Sequence, residues 1–145
     1  MPAAISKPER TLHMARILIV DDEEMDRVLV TTVLEAGGHE LFYAGEGQTA
    51  YDVCRSRELD LVVTDLAMPE ASGLRLIKEL RSQHFSVPII AVSGWSVDQL
   101  DLAQDYGADF LLLKPLDVDL FLATVQEALE LRKQRPRDPW QYWDR

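Results

Sequence analysis

The chain has a single cysteine, Cys54, which rules out an internal disulfide and any site built on paired thiolates. It has no uninterrupted apolar run near the roughly 18–20 residues of a membrane-spanning helix, and its amino terminus lacks the apolar core of a signal peptide. A soluble protein in a reducing, cytoplasmic setting is expected. Basic residues are few, 15 against 25 acidic ones, for a formal charge of -10. A general nucleic-acid-binding surface, which needs clustered Lys and Arg, is excluded. The three histidines, His13, His39 and His84, are scattered and have no partner at metal-ligand spacing. Internal repeats and low-complexity segments are absent.

What is present is one domain's worth of core: 145 residues, 47% of them hydrophobic. Residues 1–14 carry prolines and no periodicity and are expected to be a disordered leader. Five short, largely apolar runs follow as candidate strands, of which the one ending in Asp65 suits burial on both faces. They are Arg16–Val20, Glu40–Ala44, the run through Leu61, Val62 and Val63 to Asp65, Pro88–Val92 and Phe110–Leu113. Between them the pattern turns helical. The first helix starts near Glu24, carries Met25, Val28, Leu29, Val33 and Leu34 on its apolar stripe, and ends at Gly37-Gly38. The second runs from Gln48 to Arg57 with Ala50, Val53 and Cys54 inward. Ser72 is expected to cap a third helix carrying Leu74, Leu76, Ile77 and Leu80. Ser96 and Gln99 have the spacing of a capping box for a fourth, which Gly107 closes, and Asp117 caps a fifth with Phe121, Val125, Ala128 and Leu129 on one face. Strands alternating with helices predict a five-stranded parallel, doubly wound α/β sandwich of three layers.

In such a sheet the carboxyl ends of the strands share one edge, where ligands bind. Asp21 and Asp22 follow the first strand, Asp65 the third, Ser93 the fourth and Lys114 the fifth. Three carboxylates so close together repel, and at neutral pH they need a cation or bound protons to be tolerable. A hard divalent ion, most plausibly Mg2+, suits oxygen donors. With Lys114 and Ser93 nearby to take phosphoryl oxygens, Asp65 becomes a candidate nucleophile forming an acyl phosphate.

These residues together resemble the receiver domain of two-component response regulators, whose flavodoxin-like fold matches the expected sandwich. The resemblance covers about residues 15–133. It rests on the Asp-Asp pair after the first strand, Asp65-Leu66-Ala67-Met68-Pro69, Ser93 after the fourth strand and Lys114-Pro115 after the fifth. It implies that Asp65 accepts a phosphoryl group from a histidine of a sensor kinase or phosphotransfer protein. It also implies that Asp22, Asp65 and the Ala67 backbone carbonyl bind Mg2+ directly, with Asp21 acting mostly through a metal-bound water. Ser93 and Lys114 would contact the phosphoryl oxygens, and the change would repack the face of the fourth helix, fifth strand and fifth helix. On this resemblance the chain is no enzyme beyond its own phosphoryl transfer and dephosphorylation. It switches binding of a downstream protein effector, and a homodimer through the fourth and fifth helices is left open.

One position departs from the family's pattern. Leu111 stands where an aromatic partner of the switch hydroxyl is common, and Phe110 beside it points to the opposite face. Trp95 is expected to flank the phosphoryl group with Ala67 and control water access to it. The tail, 134–145, holds Trp140 and Trp143 as candidate docking anchors. It contains no output domain, so neither direct DNA binding nor membrane attachment is expected of this chain. Two other classes fit less well: a pseudo-receiver binding partners without phosphorylation, and a haloacid-dehalogenase-type phosphatase, whose first-strand Asp-x-Asp is missing here.

Overall fold

A computed structural model describes residues 14–94, 97–136 and 138, less the side chains of residues 25 and 26. The strands are β1 (Arg16–Val20), β2 (Glu40–Ala44), β3 (Leu61–Asp65), β4 (Ile89–Ser93) and β5 (Phe110–Leu113). They alternate with α1 (Glu24–Ala36), α2 (Gly47–Ser56), α3 (Ser72–Ser82), α4 (Val97–Tyr106) and α5 (Val118–Gln134). All neighbouring strands pair in parallel in the order β2-β1-β3-β4-β5. This is the flavodoxin-like doubly wound order, with its switch point between β1 and β3. The expected fold class is the observed one.

The alternation of side chains along each strand divides the core in two. Leu18, Val62, Ile89 and Ala91 pack against α2, α3 and α4, through Ala50, Cys54, Leu76, Ile77, Leu80, Leu100 and Ala103. Ile17, Ile19, Val63, Ile90 and Val92 pack against α1 and α5, through Val30, Leu34, Phe121, Val125 and Ala128. Phe110 and Leu111 fall on opposite sides of this division.

Two local expectations are corrected. On α1 the buried stripe is Val30 and Leu34 with Val33 packed beside them, while Val28 and Leu29 are exposed. Three- and four-residue spacings fit two adjacent stripes of this helix, and the sheet selects one. Ser72 is the first residue of α3 rather than its cap; the cap position is Ala71, left-handed at φ 54°, with no side-chain cap bond. The Ser72 hydroxyl is buried and has no hydrogen-bond partner among the described residues. Asp117 does cap α5, accepting from the Leu120 N–H at 3.0 Å. Ser96 lies outside the described residues.

Among the described residues no helix is long and apolar enough to cross a membrane. Burial pushes the Cys54 thiol up to about 12, with Asp138 adding to the shift, so it stays protonated at neutral pH. His39 accepts from the Ala15 N–H at 3.1 Å, and burial lowers its pKa, so it serves the fold as a neutral acceptor.

The start of the tail is tied down. Asp138 is 1% exposed, and its carboxylate accepts from both the N–H and the hydroxyl of Ser86. Arg135 forks onto Asp109 at 2.5 and 3.1 Å and donates to the Ser86 carbonyl. Asp109 also accepts from Arg81 at 3.0 Å and from the Ile89 N–H at 2.9 Å. These residues cross the edge of the sheet opposite the strand carboxyl ends and join α5 to the α3–β4 and α4–β5 connections. Residues 139–145, with Trp140 and Trp143, lie outside the described residues. Removing a shared, largely buried acceptor takes from two guanidinium groups the carboxylate they both bond and leaves them with backbone carbonyls. Asp109→Ala is therefore expected to cost about 3 kcal/mol in urea unfolding, while Arg16→Ala, which breaks the exposed pair with Glu40, should cost less than about 1 kcal/mol.

Candidate functional site

The site is made by strand ends. β1 stops where the chain meets Asp21 and Asp22, and the Asp21 N–H is held by the Ala44 carbonyl at the end of β2. Asp65 is the last residue of β3, Ser93 the last of β4, and Lys114 follows β5 with its N–H on the Ser93 carbonyl at 2.8 Å. Parallel pairing in register sets these ends side by side, so residues up to 93 positions apart in sequence, Asp21 and Lys114, border one crevice.

Asp21, Asp22 and Asp65 each offer a carboxylate oxygen within 4.8 Å of the others. Asp21 and Asp65 are buried and Asp22 is exposed. The cluster is held open by specific donors. The Asp65 carboxylate accepts from the Ala67 N–H at 2.9 Å on one oxygen and from the Lys114 ammonium at 3.0 Å on the other. Its side chain is 2% exposed and that of Lys114 20%, so this ion pair is little screened by water. Asp21 accepts from the Glu23 N–H at 2.8 Å, and Arg27 donates to the Asp21 carbonyl at 3.2 Å. One ammonium against three carboxylates leaves a local negative excess that a divalent cation would neutralise. The donor set, all hard oxygens with one acid open to solvent, fits such an ion.

Ser93 is fully buried, and its hydroxyl donates to the Gln99 carboxamide oxygen at 3.5 Å. Gln99 was legible in the sequence only as a capping residue; its proximity to Ser93 comes from where α4 packs. Leu111 is partly buried on the α4 side of the sheet and brings no polar atom there. Trp95, expected beside the site, lies outside the described residues, while Ala67 is half-buried next to Asp65. A cavity of ≈ 380 Å³ opens beside the acids, lined by Asp21, Asp65 and Lys114 together with apolar Leu29, Val30 and Leu116.

The loop after Asp65 carries two features that the sequence did not disclose. Glu70 and Ala71 are both left-handed, at φ 60° and 54°, a conformation costly for residues with a Cβ. Gly73 runs so close to β3 that a Cβ there would sit 2.2 Å from the Asp65 carbonyl oxygen. α3 is thus packed directly on the backbone that presents Asp65.

Fold and site together define a three-layer α/β sandwich with an acid cluster and a lysine at the carboxyl edge of a 2-1-3-4-5 sheet. The family model for the response regulator receiver domain matches residues 17–126. The chain belongs to that family. It is 35% identical over 121 residues to the regulatory protein AtoC of Escherichia coli strain K12, across 83% of this chain and 26% of that one. It is 31% identical to the polar-differentiation response regulator DivK of Brucella ovis, across 78% of this chain and 94% of that one. The solution structure of a beryllofluoride-activated NtrC4 receiver domain dimer is similar at TM-score 0.74 and 30% identity, covering 81% of this chain and 98% of that one. Thus the chain spans about a quarter of the AtoC regulator but nearly all of DivK.

Gly73→Ala tests how α3 supports the site. The substitution is expected to cost about 2 kcal/mol or more in urea unfolding, since backbone must move. At Gly94, where a Cβ would meet, among the described residues, only the Lys114 Cδ at 3.7 Å, the same change should cost less than about 1 kcal/mol.

Proposed function

We propose that this receiver accepts a phosphoryl group on Asp65 from a phosphohistidine of a sensor kinase or phosphotransfer protein, and that the acyl phosphate changes its affinity for a downstream protein. The observation that carries this is the buried Asp65 carboxylate, 3.0 Å from Lys114 and within the three-acid cluster. An oxygen lone pair of Asp65 forms the new bond to phosphorus as the phosphorus–nitrogen bond breaks, and the electron pair stays on the imidazole. The Ala67 N–H fixes the rotation of the carboxylate, which keeps the attacking oxygen in one orientation. Lys114 stands where it can trade its carboxylate partner for a phosphoryl oxygen.

Asp21, Asp22, Asp65 and the Ala67 carbonyl would hold Mg2+, which when bound supplies positive charge against the phosphoryl oxygens. In this reading the chain catalyses only its own phosphoryl transfer and dephosphorylation, and works in the cytoplasm beside the kinase. Exposed Leu102 and Leu113 on α4 and β5 suit a partner surface on that face, whether an effector or a second copy.

Incubation with acetyl phosphate and Mg2+, followed by intact mass, tests the reading. One phosphoryl group is expected on the protein, dependent on Mg2+ and absent in Asp65→Asn. A folded protein that takes up none would instead act as a phosphorylation-independent binding module.

A further inference from the structure

Leu111 leaves the switch hydroxyl without an aromatic partner on β5, yet Ser93 is not isolated from the surface. Its side chain follows Ala91 on the side of the sheet that packs against α4. There its hydroxyl meets Gln99 in the first turn of that helix, at 3.5 Å. The distance is long for a hydroxyl donor, so the bond is weak. α4 is also lightly anchored: only Leu100 and Ala103 of its ten residues are buried, against five buried residues in the eleven of α3. A helix held by so few contacts responds to the gain or loss of a single hydrogen bond.

We propose that Gln99 is the positioning residue that couples Ser93 to α4. This rests on the reading of Asp65 as phosphoacceptor. In the resting protein the Gln99 carboxamide oxygen takes the Ser93 hydroxyl and fixes the first turn of α4 to the end of β4. A phosphoryl group on Asp65 offers charged oxygens, whose hydrogen bonds are roughly twice as strong as neutral ones. The hydroxyl transfers to them, and the turn at Gln99 is released. Phosphorylation is thereby read out as loosening of α4, through a polar contact in place of an aromatic rotamer.

Amide hydrogen exchange of residues 97–103, with and without beryllofluoride and Mg2+, tests this in the full chain, with fluorine NMR reporting beryllofluoride at Asp65. In the wild type, beryllofluoride is expected to speed exchange about twofold, the effect of one hydrogen bond at the weak end of the usual net range. Gln99→Leu, which removes the acceptor, should bind beryllofluoride yet exchange fast already at rest, with little further response. Ser93→Ala should show the same fast exchange at rest, and the double variant should exchange at rest like either single one. Gln99→Glu, which restores an acceptor oxygen, should restore resting protection. Full beryllofluoride response in Gln99→Leu, additive effects in the double variant, or no rescue by Gln99→Glu would overturn the role of Gln99 and leave Asp65 standing. Absence of beryllofluoride binding in the wild type would overturn both.

Discussion

The ion pair between Asp65 and Lys114 is the interaction on which the site depends. A carboxylate 2% exposed beside two other acids is costly to keep charged, and the ammonium at 3.0 Å offsets part of that cost. Both partners are placed by backbone rather than by flexible side-chain reach: Asp65 closes β3, and Lys114 is tied by its own N–H to the end of β4. The fold therefore delivers a cluster with too much negative charge and one cation that can change partners. A divalent ion would offset that negative excess, which a phosphoryl group alone would increase.

From the same edge the consequences run toward the α2–α4 layer. Gly73 lets α3 rest on the Asp65 backbone, and Ser93 reaches Gln99 on α4. At the opposite edge of the sheet, Arg81, Asp109, Arg135 and Asp138 bind α5 to the loops that start β4 and β5. That end is locked by charge, while at the end that bears the site the contact from Ser93 to the first turn of α4 is a long hydrogen bond of 3.5 Å.

The strands and the acid cluster were legible because they depend on local pattern. The central strands β3 and β4, buried along their whole length, read as continuous apolar runs, and a parallel sheet must gather the strand ends. What escaped the sequence depended on tertiary neighbours. Val28 and Leu29 have helical spacing as good as that of Val30 and Leu34, and only docking of α1 decides between them. Ser72 has the chemistry of a cap, but left-handed Glu70 and Ala71 shift the helix start onto it. The burial of Asp138 is set by Ser86, 52 residues away, and no pattern within the tail announces it. Gln99 was assigned to its own helix because sequence spacing cannot show a partner on the next strand.

Central to this account is that the carboxylate edge is built for a divalent cation and a phosphoryl group at Asp65. Thermal unfolding with and without Mg2+ tests it most directly. At saturating Mg2+, about 100 times its dissociation constant, the wild type should gain about 2.7 kcal/mol, and Asp65→Asn, still folded, should gain far less. An equal gain in both, or none in the wild type, would contradict the account.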